Sequence, residues 1–552
     1  MSRLKVPDFI EDVIRDPQQR GILITGILAL FAVGVVPRVL EPGLPTSQER
    51  LKTQPEIENL FYLLAFVSAA TIILGGLVSD VFRRRSLFLG ALAVQSGGAL
   101  HNVFIDDGPT YYIASIAMVT AAGVVLAYGI GSVAIAYRGA ERGTALGFVY
   151  GAMGAGSALA PALLTAFLVR TPSEDPAQPA GFGFDTWLAY AIAALAAGLA
   201  LWAAYRWMPA LPGQLPAPRV LVTSAAVWAI SVLAIVVGII GIGGPGSPFL
   251  RFAFIVGGAV GIVATTSAIR RARKTIANLY FDTRGLGAAL SVGVAVGVAQ
   301  AVPLMLLPIV FQYVLGFPPL LSILAIAPFA IALFLGGPIS GGLLQRYSPR
   351  TLMAGATAVL GIADIAIAVT ITFMGKDTNY LLLILPLIGI GGGFVVSTTV
   401  RTAIVFASTP AGLPSSAAAI NEASVGLGSR IGIVGATAII ATLAVDSAQN
   451  MLVGKAQAAE YVDRFRVAIE SLGTPRFREI FEVAREQLPE AVRSTYVTAY
   501  VEGVAVALVV CGLVGLGGAF LAWVLIGRRD PLRTVFDLEE ERQSQPPPGG
   551  TT

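Results

Sequence analysis

Cysteine and histidine are almost missing: Cys511 and His101 each stand alone among 552 residues. That leaves no material for a disulfide framework, a Cys/His zinc site or a thiol–imidazole nucleophile. Charge is scarce too, with Asp, Glu, Lys and Arg making up 13% of the chain against about 25% in ordinary soluble domains. With 55% hydrophobic residues and a mean hydropathy of +0.77, the chain cannot be a soluble protein. No phosphate-cradling Gly-rich loop ending in Lys-Ser/Thr occurs, so ATP drive would need a separate subunit. No cluster of catalytic acids, histidines or nucleophiles gathers at one end, so an enzyme, a cofactor and a metal are not expected.

What is present is a series of apolar runs, each long enough to cross a hydrocarbon layer of ~30 Å. Spans are expected near 21–40, 59–79, 86–105, 112–137, 144–169 and 186–208. A pair follows near 219–242 and 249–269, and six more near 287–315, 319–344, 351–374, 379–400, 418–444 and 497–526. The fold class is therefore all-α and polytopic. Its expected units are an N-terminal segment 1–20, a six-helix bundle 21–209, two additional helices with linkers 210–285, a second six-helix bundle 286–527, and a tail 528–552. The tail carries Pro546, Pro547 and Pro548 and is expected to be disordered. The first twenty residues carry both signs of charge and lack the lead of a cleaved signal, so the first run is expected to be retained.

Lys and Arg gather in alternate connections: Arg83 to Arg85, Arg138 and Arg142, Arg206 and Arg219, Arg270 to Lys274, Arg346 and Arg350, and Arg528 to Arg533. The positive-inside bias puts these loops and both termini in the cytoplasm, and the protein in the inner (plasma) membrane. The pI of about 9.1 then reflects orientation and anionic lipid rather than nucleic acid. One long external loop, 445–496, is helix-prone and divided by Gly473, Thr474 and Pro475; it reads either as a substrate lid or as a solvated spacer.

Two stretches echo each other. Gly76-Leu-Val-Ser-Asp80-Val-Phe-Arg83-Arg84-Arg85 ends the second span of the first group, and Gly341-Gly-Leu-Leu-Gln-Arg346-Tyr-Ser-Pro-Arg350 ends the second span of the second. A transporter built from two parallel repeats has that spacing, with substrate bound between its halves. The first stretch resembles the major facilitator signature G-x-L-A-D-R-x-G-R-R at Gly76, Asp80, Arg84 and Arg85. That resemblance implies a gate anchored by Asp80. The fifth span, with Gly147, Gly156 and Ala160-Pro161, resembles the antiporter signature G-x8-G-x3-G-P-x2-G-G, with Leu164 and Thr165 at its last two glycines. Glycines 143, 147 and 151 lie one turn apart, which permits close helix approach, and Pro161 permits a bend. Phe311-Gln312-Tyr-Val-Leu-Gly316-Phe-Pro318-Pro319 looks like the L-Q-x-V-x-G-x-S-P turn of the fourteen-span drug:proton antiporters.

The resemblance breaks at the family's usual proton groups. Where the first-span motif D-x-T-x-x-N-x-A-x-P would fall, the chain has Leu28, Leu30, Val33 and Val35, and where R-x-x-Q-G would fall it has Val119-Thr-Ala-Ala-Gly123. Other ionisable residues lie within apolar runs, where a central charge costs at least ~2.5–3.5 kcal/mol. Asp364 is a candidate proton carrier or a helix-packing group. Glu422 and Arg430 are separated by roughly 12 Å of rise and cannot pair directly, so they line a polar cavity or need further partners. Glu502 either couples charge or snorkels to the interface. Tyr128, Tyr150, Gln300 and Gln312 are candidate polar contacts in the substrate cavity.

The resemblance implies a proton-coupled exporter of hydrophobic or amphipathic small molecules, acting as a monomer with protons and the bilayer as its other partners. The apolar first span equally admits a lipid or cell-envelope precursor as cargo. A non-transporting membrane sensor or scaffold would call for a folded soluble domain or signalling tail, and the sequence shows neither.

Overall fold

The computed structural model describes residues 16–51, 71–76, 78–80, 84–104, 108–137, 139–166, 168–170, 182–184, 186–209, 227, 231, 248–271, 283–375, 378–409, 413–453, 458–470 and 489–526. The expected span near 219–242 lies outside these residues except for 227 and 231, as do the Gly473-Thr474-Pro475 break, the N-terminal segment 1–15 and the tail.

The first half comprises α1 (Pro17–Leu51), α2 (Thr71–Asp80), α3 (Arg84–Phe104), α4 (Gly108–Ala136), α5 (Gly139–Ala166) and α6 (Thr186–Trp207). Then come α7 (Pro248–Arg271), α8 (Thr283–Tyr313), α9 (Pro319–Leu324), α10 (Ala327–Arg346), α11 (Pro349–Met374), α12 (Leu381–Ser408), α13 (Pro414–Leu452), α14 (Ala458–Glu470) and α15 (Glu490–Leu525). Among the described residues nine helices are long and apolar enough to cross a membrane. The all-helical expectation needs one addition: between α5 and α6, Leu168–Arg170 and Phe182–Phe184 form a short antiparallel pair, β1 and β2, with Leu168 opposite Phe184.

Local chemistry sets several helix starts. Pro17 opens α1 while the Asp16 carboxylate accepts from the Gln18 N–H at 2.9 Å, and Ser348 caps α11 by accepting from the Thr351 N–H just ahead of Pro349. The helices are apolar nearly all round, and large side chains such as Phe104, Trp202, Phe252, Phe373 and Leu385 stand exposed on the outside. Such a surface suits a hydrocarbon solvent, in which helices satisfy their own backbone groups.

The expected repeat is visible as a pairing pattern. In the first half α1 packs on α4, α5 and α6, while α3 packs on α4 and α6. In the second half α8 packs on α12, α13 and α15, while α11 packs on α12 and α15. With α9 and α10 together as the second element, first meets fourth, fifth and sixth, and third meets fourth and sixth, in both groups. Between the halves, α5 lies on α10 and, reciprocally, Gly76 of α2 lies on Ser415 and Ala419 of α13.

Several expected boundaries move. The helix of the span near 21–40 continues to Leu51, the span near 379–400 continues to Ser408, which brings Arg401 into the helix, and the span near 418–444 runs from Pro414 to Leu452. At 39 residues α13 is ~58 Å long, well beyond the hydrocarbon thickness. The loop expected over 445–496 is therefore in part an extension of α13 and α15. Against these extensions α14 buries Val462, Phe465, Ala468 and Ile469. The Phe465 and Tyr496 rings sit 4.5 Å apart, and the Tyr496 hydroxyl donates to the Tyr461 carbonyl.

Glycine at the α5–α10 crossing is a steric requirement. A Cβ on Gly147 would overlap the Gly337 carbonyl, and one on Gly337 would overlap the Gly147 carbonyl. Gly147→Ala should destabilise the protein by about 1–3 kcal/mol through overpacking, whereas Gly355→Ala, where nothing lies within 4 Å, should stay within about 0.5 kcal/mol of wild type. Equilibrium unfolding in detergent compares the two; equal effects would mean the crossing does not hold the halves together.

Candidate functional site between the two bundles

Helix α13 starts at Pro414, and Leu413 before it offers no side-chain cap. Its first N–H groups are satisfied from the other half. Asp80, at the end of α2 and 1% exposed, accepts from the Ser415 N–H at 3.1 Å and from the Ser416 N–H and hydroxyl at 2.7 Å each. A carboxylate at a helix N-terminus meets both free donors and the positive end of the dipole. The approach depends on Gly76, whose Cβ would meet the Ser415 carbonyl at 2.6 Å and overlap Ala419.

The rest of the signature has other duties. Arg85 donates through Nη2 to the Tyr205 carbonyl at 2.9 Å, within the first half. The Arg84 side chain lies outside the described residues. In the second copy, Gly341 lies against Thr144 of α5, the counterpart of Gly76 against α13. Arg346 is exposed, and Arg350 stands 4.2 Å over the Trp523 ring, a cation–π contact. The expected glycine stripe of α5 divides: Gly143, Gly147 and Gly151 face α10, whereas Gly156 faces the Phe31 carbonyl of α1. Pro161 lies within α5, with its side chain outside the described residues.

About 9 Å of helix rise beyond Ser416 lies a second junction, made of polar side chains. The Tyr150 hydroxyl of α5 donates to Glu422 Oε1 at 2.9 Å and accepts from Thr402 at 3.0 Å. Asn421 Nδ2 donates to Glu422 Oε1 at 3.1 Å and to Thr402 Oγ1 at 2.9 Å. Arg401 of α12 is fully buried. Its Nη1 donates to the Ser424 hydroxyl at 3.2 Å, and its Nη2 lies 3.9 Å from Glu422 Oε1. Tyr150 belongs to the first half and the others to the second, so this cluster spans the halves.

Of the expected charge-bearing residues, only Glu422 lies here. The cation expected at Arg430 is instead Arg401; Arg430 is exposed two turns further along α13. Asp364 is fully buried, but inside the second half, near Cys511 of α15, and neither carboxyl oxygen meets a hydrogen-bond partner. Glu502 is exposed and accepts from the Ser447 hydroxyl of α13. Tyr128 packs its ring 4.6 Å from Phe88 within the first half, while Gln300 and Gln312 are half-buried on α8, outside this cluster. Arg401 is absent from the sequence expectations because the expected span ends at residue 400. The unbroken Ala403-Ile-Val-Phe406 that follows was the available signal.

Residues 22–433 match the Major Facilitator Superfamily. No individual curated protein matches the sequence. Solved structures share the fold at low identity. One is the proton:xylose symporter XylE bound to 6-bromo-6-deoxy-D-glucose, with TM-score 0.55 and 13% identity over 94% of this chain and 98% of that one. Another is FucP in the outward conformation, with TM-score 0.51 and 12% identity over 91% and 98%.

Removing the shared cap should loosen this end of the interface. Asp80→Ala leaves two N–H donors without their acceptor, at a cost of about 1–3 kcal/mol. In a Cys511→Ser background, a cysteine replacing the buried Ser79 should then react with a membrane-impermeant maleimide at least roughly tenfold faster than with Asp80 intact, as that cost implies. Unchanged reactivity would show that the cap does not hold the halves closed.

Proposed function

The chain belongs to the major facilitator superfamily, and from that membership we propose that it exports hydrophobic or amphipathic small molecules by alternating access, driven by proton entry. The observation that carries this reading is the position of Glu422. The described residues include three buried acids: Asp364 lies within one half, and Asp80 and Glu422 both bond across the halves, but Asp80 is committed to capping the α13 terminus, whereas Glu422 receives a single hydroxyl, that of Tyr150, from the other half. A group that gains and loses a proton there acts directly on the contact that alternating access must break.

The basic loops support a cytoplasmic position for the Asp80 junction, and with it a conformation closed to the cytoplasm. Opening inward then requires α13 to leave Asp80 and Tyr150 to leave Glu422. The first span supports apolar cargo: Leu28, Leu30 and Val33 stand where the family motif has Asp, Thr and Asn, and Leu30 and Val33 are buried. Asp364 is the second candidate proton site, because it is buried without a partner and a group in that position binds a proton without disturbing an ion pair.

Proteoliposomes with an imposed pH gradient test this reading. Screening lipophilic cations, neutral drugs and lipid precursors should find a substrate class that dissipates the gradient, and Glu422→Gln should lose at least ~90% of that flux, as removal of an obligatory proton group requires. Asp364→Asn should retain more flux than Glu422→Gln. Full gradient-driven transport in both variants would remove both acids from coupling, and a response confined to lipid precursors would reassign the cargo.

A further inference from the structure

Arg401 has no role in the family signatures, yet it is the largest fully buried side chain among the described residues. Its seat is built for it. A Cβ on Gly293 of α8 would overlap both Arg401 Nη1 and the Ser424 hydroxyl, so the guanidinium occupies space that a larger residue at 293 would fill. Nη1 is held by the Ser424 hydroxyl and, at 3.5 Å, by the Asn421 carbonyl, both one turn or less from Glu422. The Ser424 hydroxyl in turn donates to the Asn421 carbonyl at 2.7 Å. Nε and Nη2 meet no hydrogen-bond partner, and Nη2 faces Glu422 at 3.9 Å, outside hydrogen-bond range. The cation is therefore fixed near the carboxylate without occupying the oxygen that Tyr150 uses.

We propose that Arg401 is the positioning cation of an inner lock whose state is read by the proton on Glu422. The proposal rests on the proton-coupled reading above and adds the residue that sets its pH range. Ionised Glu422 accepts from Tyr150 across the halves and from Asn421 within its own half, and hydrogen bonds to an ionised acceptor are roughly twice as strong as neutral ones. Arg401 favours that ionised form by Coulomb attraction and keeps it compatible with burial. When a proton from outside converts the carboxylate to the acid, the charge assistance to Tyr150 ends and the lock weakens. The halves then part at the cytoplasmic side and the proton leaves to the inside. With Glu422 ionised again, Tyr150 is drawn back. Among the described residues, Arg401 from α12 is the charged group acting on Glu422 and Tyr150 from α5 the titratable hydroxyl, with Asn421 from α13; α4, α8, α14 and α15 contribute no charge to it.

The test reads the gap between the halves directly. Spin labels on Ser86→Cys and Tyr347→Cys, both exposed on opposite halves at the basic end, report the separation in the full-length Cys511→Ser protein in lipid nanodiscs across a pH series. Wild type should widen as pH falls. Glu422→Gln should be wide at every pH, and Tyr150→Phe should favour the wide form by roughly tenfold, the scale of one hydrogen bond to a charged acceptor. Arg401→Gln, which removes the attraction to the carboxylate, should move the midpoint of widening toward alkaline pH by at least about one unit, while Arg401→Lys keeps most of the wild-type midpoint and Gly293→Ala behaves as Arg401→Gln. A Glu422→Gln protein that responds to pH like wild type would overturn the lock. So would an Arg401→Gln midpoint equal to that of wild type with the Tyr150→Phe shift absent. A wild-type gap that ignores pH altogether would instead overturn proton coupling itself, the reading on which the lock depends.

Discussion

Helix α13 cannot finish its own N-terminus. Its first residue is a proline, the residue before it is a leucine, and the N–H groups of Ser415 and Ser416 would be bare if the two halves separated without water to replace Asp80. Capping a helix and closing the protein are thus one interaction, made between residues 335 and 336 positions apart. Its strength is tunable because both sides have an alternative partner once exposed. In the open state water solvates the carboxylate and the helix end separately, so closure is favourable by a small difference rather than by the full strength of three bonds. A transporter needs that balance, since a contact too strong to exchange with water would trap one state.

Close packing makes the cap possible. Gly76 lets α2 reach α13, and Gly147 and Gly337 let α5 and α10 cross backbone to backbone. In hydrocarbon there is little hydrophobic gain from bringing helices together, so van der Waals fit between small residues carries much of the association. The two crossings pair the second helix of one half with the fifth of the other, in both senses. The halves meet at these two crossings, and α4 on α13 and α5 on α12 add further contact between them.

The chemistry of the two crossings is unequal. Gly341 repeats Gly76, but the position matching Asp80 in the second copy is Gln345, and the charge that the second half does carry, Arg401 with Glu422, lies about 9 Å deeper and is held by α8, α12 and α13. One half contributes an acid to cap a helix of the other; the other contributes an ion pair that receives a tyrosine from the first. The two halves share one helix-pairing pattern, but their polar groups differ. Burying an ion pair costs desolvation that its own attraction only partly offsets, so a pair retained here fits a switching role better than a stabilising one.

Much of the frame was legible in the order of residues. Hydropathy and the distribution of Lys and Arg are local properties read along the chain, so most spans emerged within a few residues of their helices. The repeated motif located Asp80 and Gly341 because glycine spacing and a lone acid at a helix end survive as sequence patterns. Arg401 did not emerge, because an arginine after a twenty-residue, mostly apolar run looks the same at the end of a span as inside one; only the continuation of α12 to Ser408 decides which it is. The partner of Glu422 was likewise invisible: Arg430 shares its helix, but a helix rise separates them, whereas Arg401 comes from another helix that packing brings alongside. Tyr150 was noticed as a polar group in an apolar span, and only the crossing of α5 against the second half gave it Glu422 and Thr402 as partners. What sequence determined by itself was which segments enter the membrane and where a charge would be costly there; which charges meet was decided by tertiary structure, because pairing depends on distances between helices that no periodicity along one helix contains.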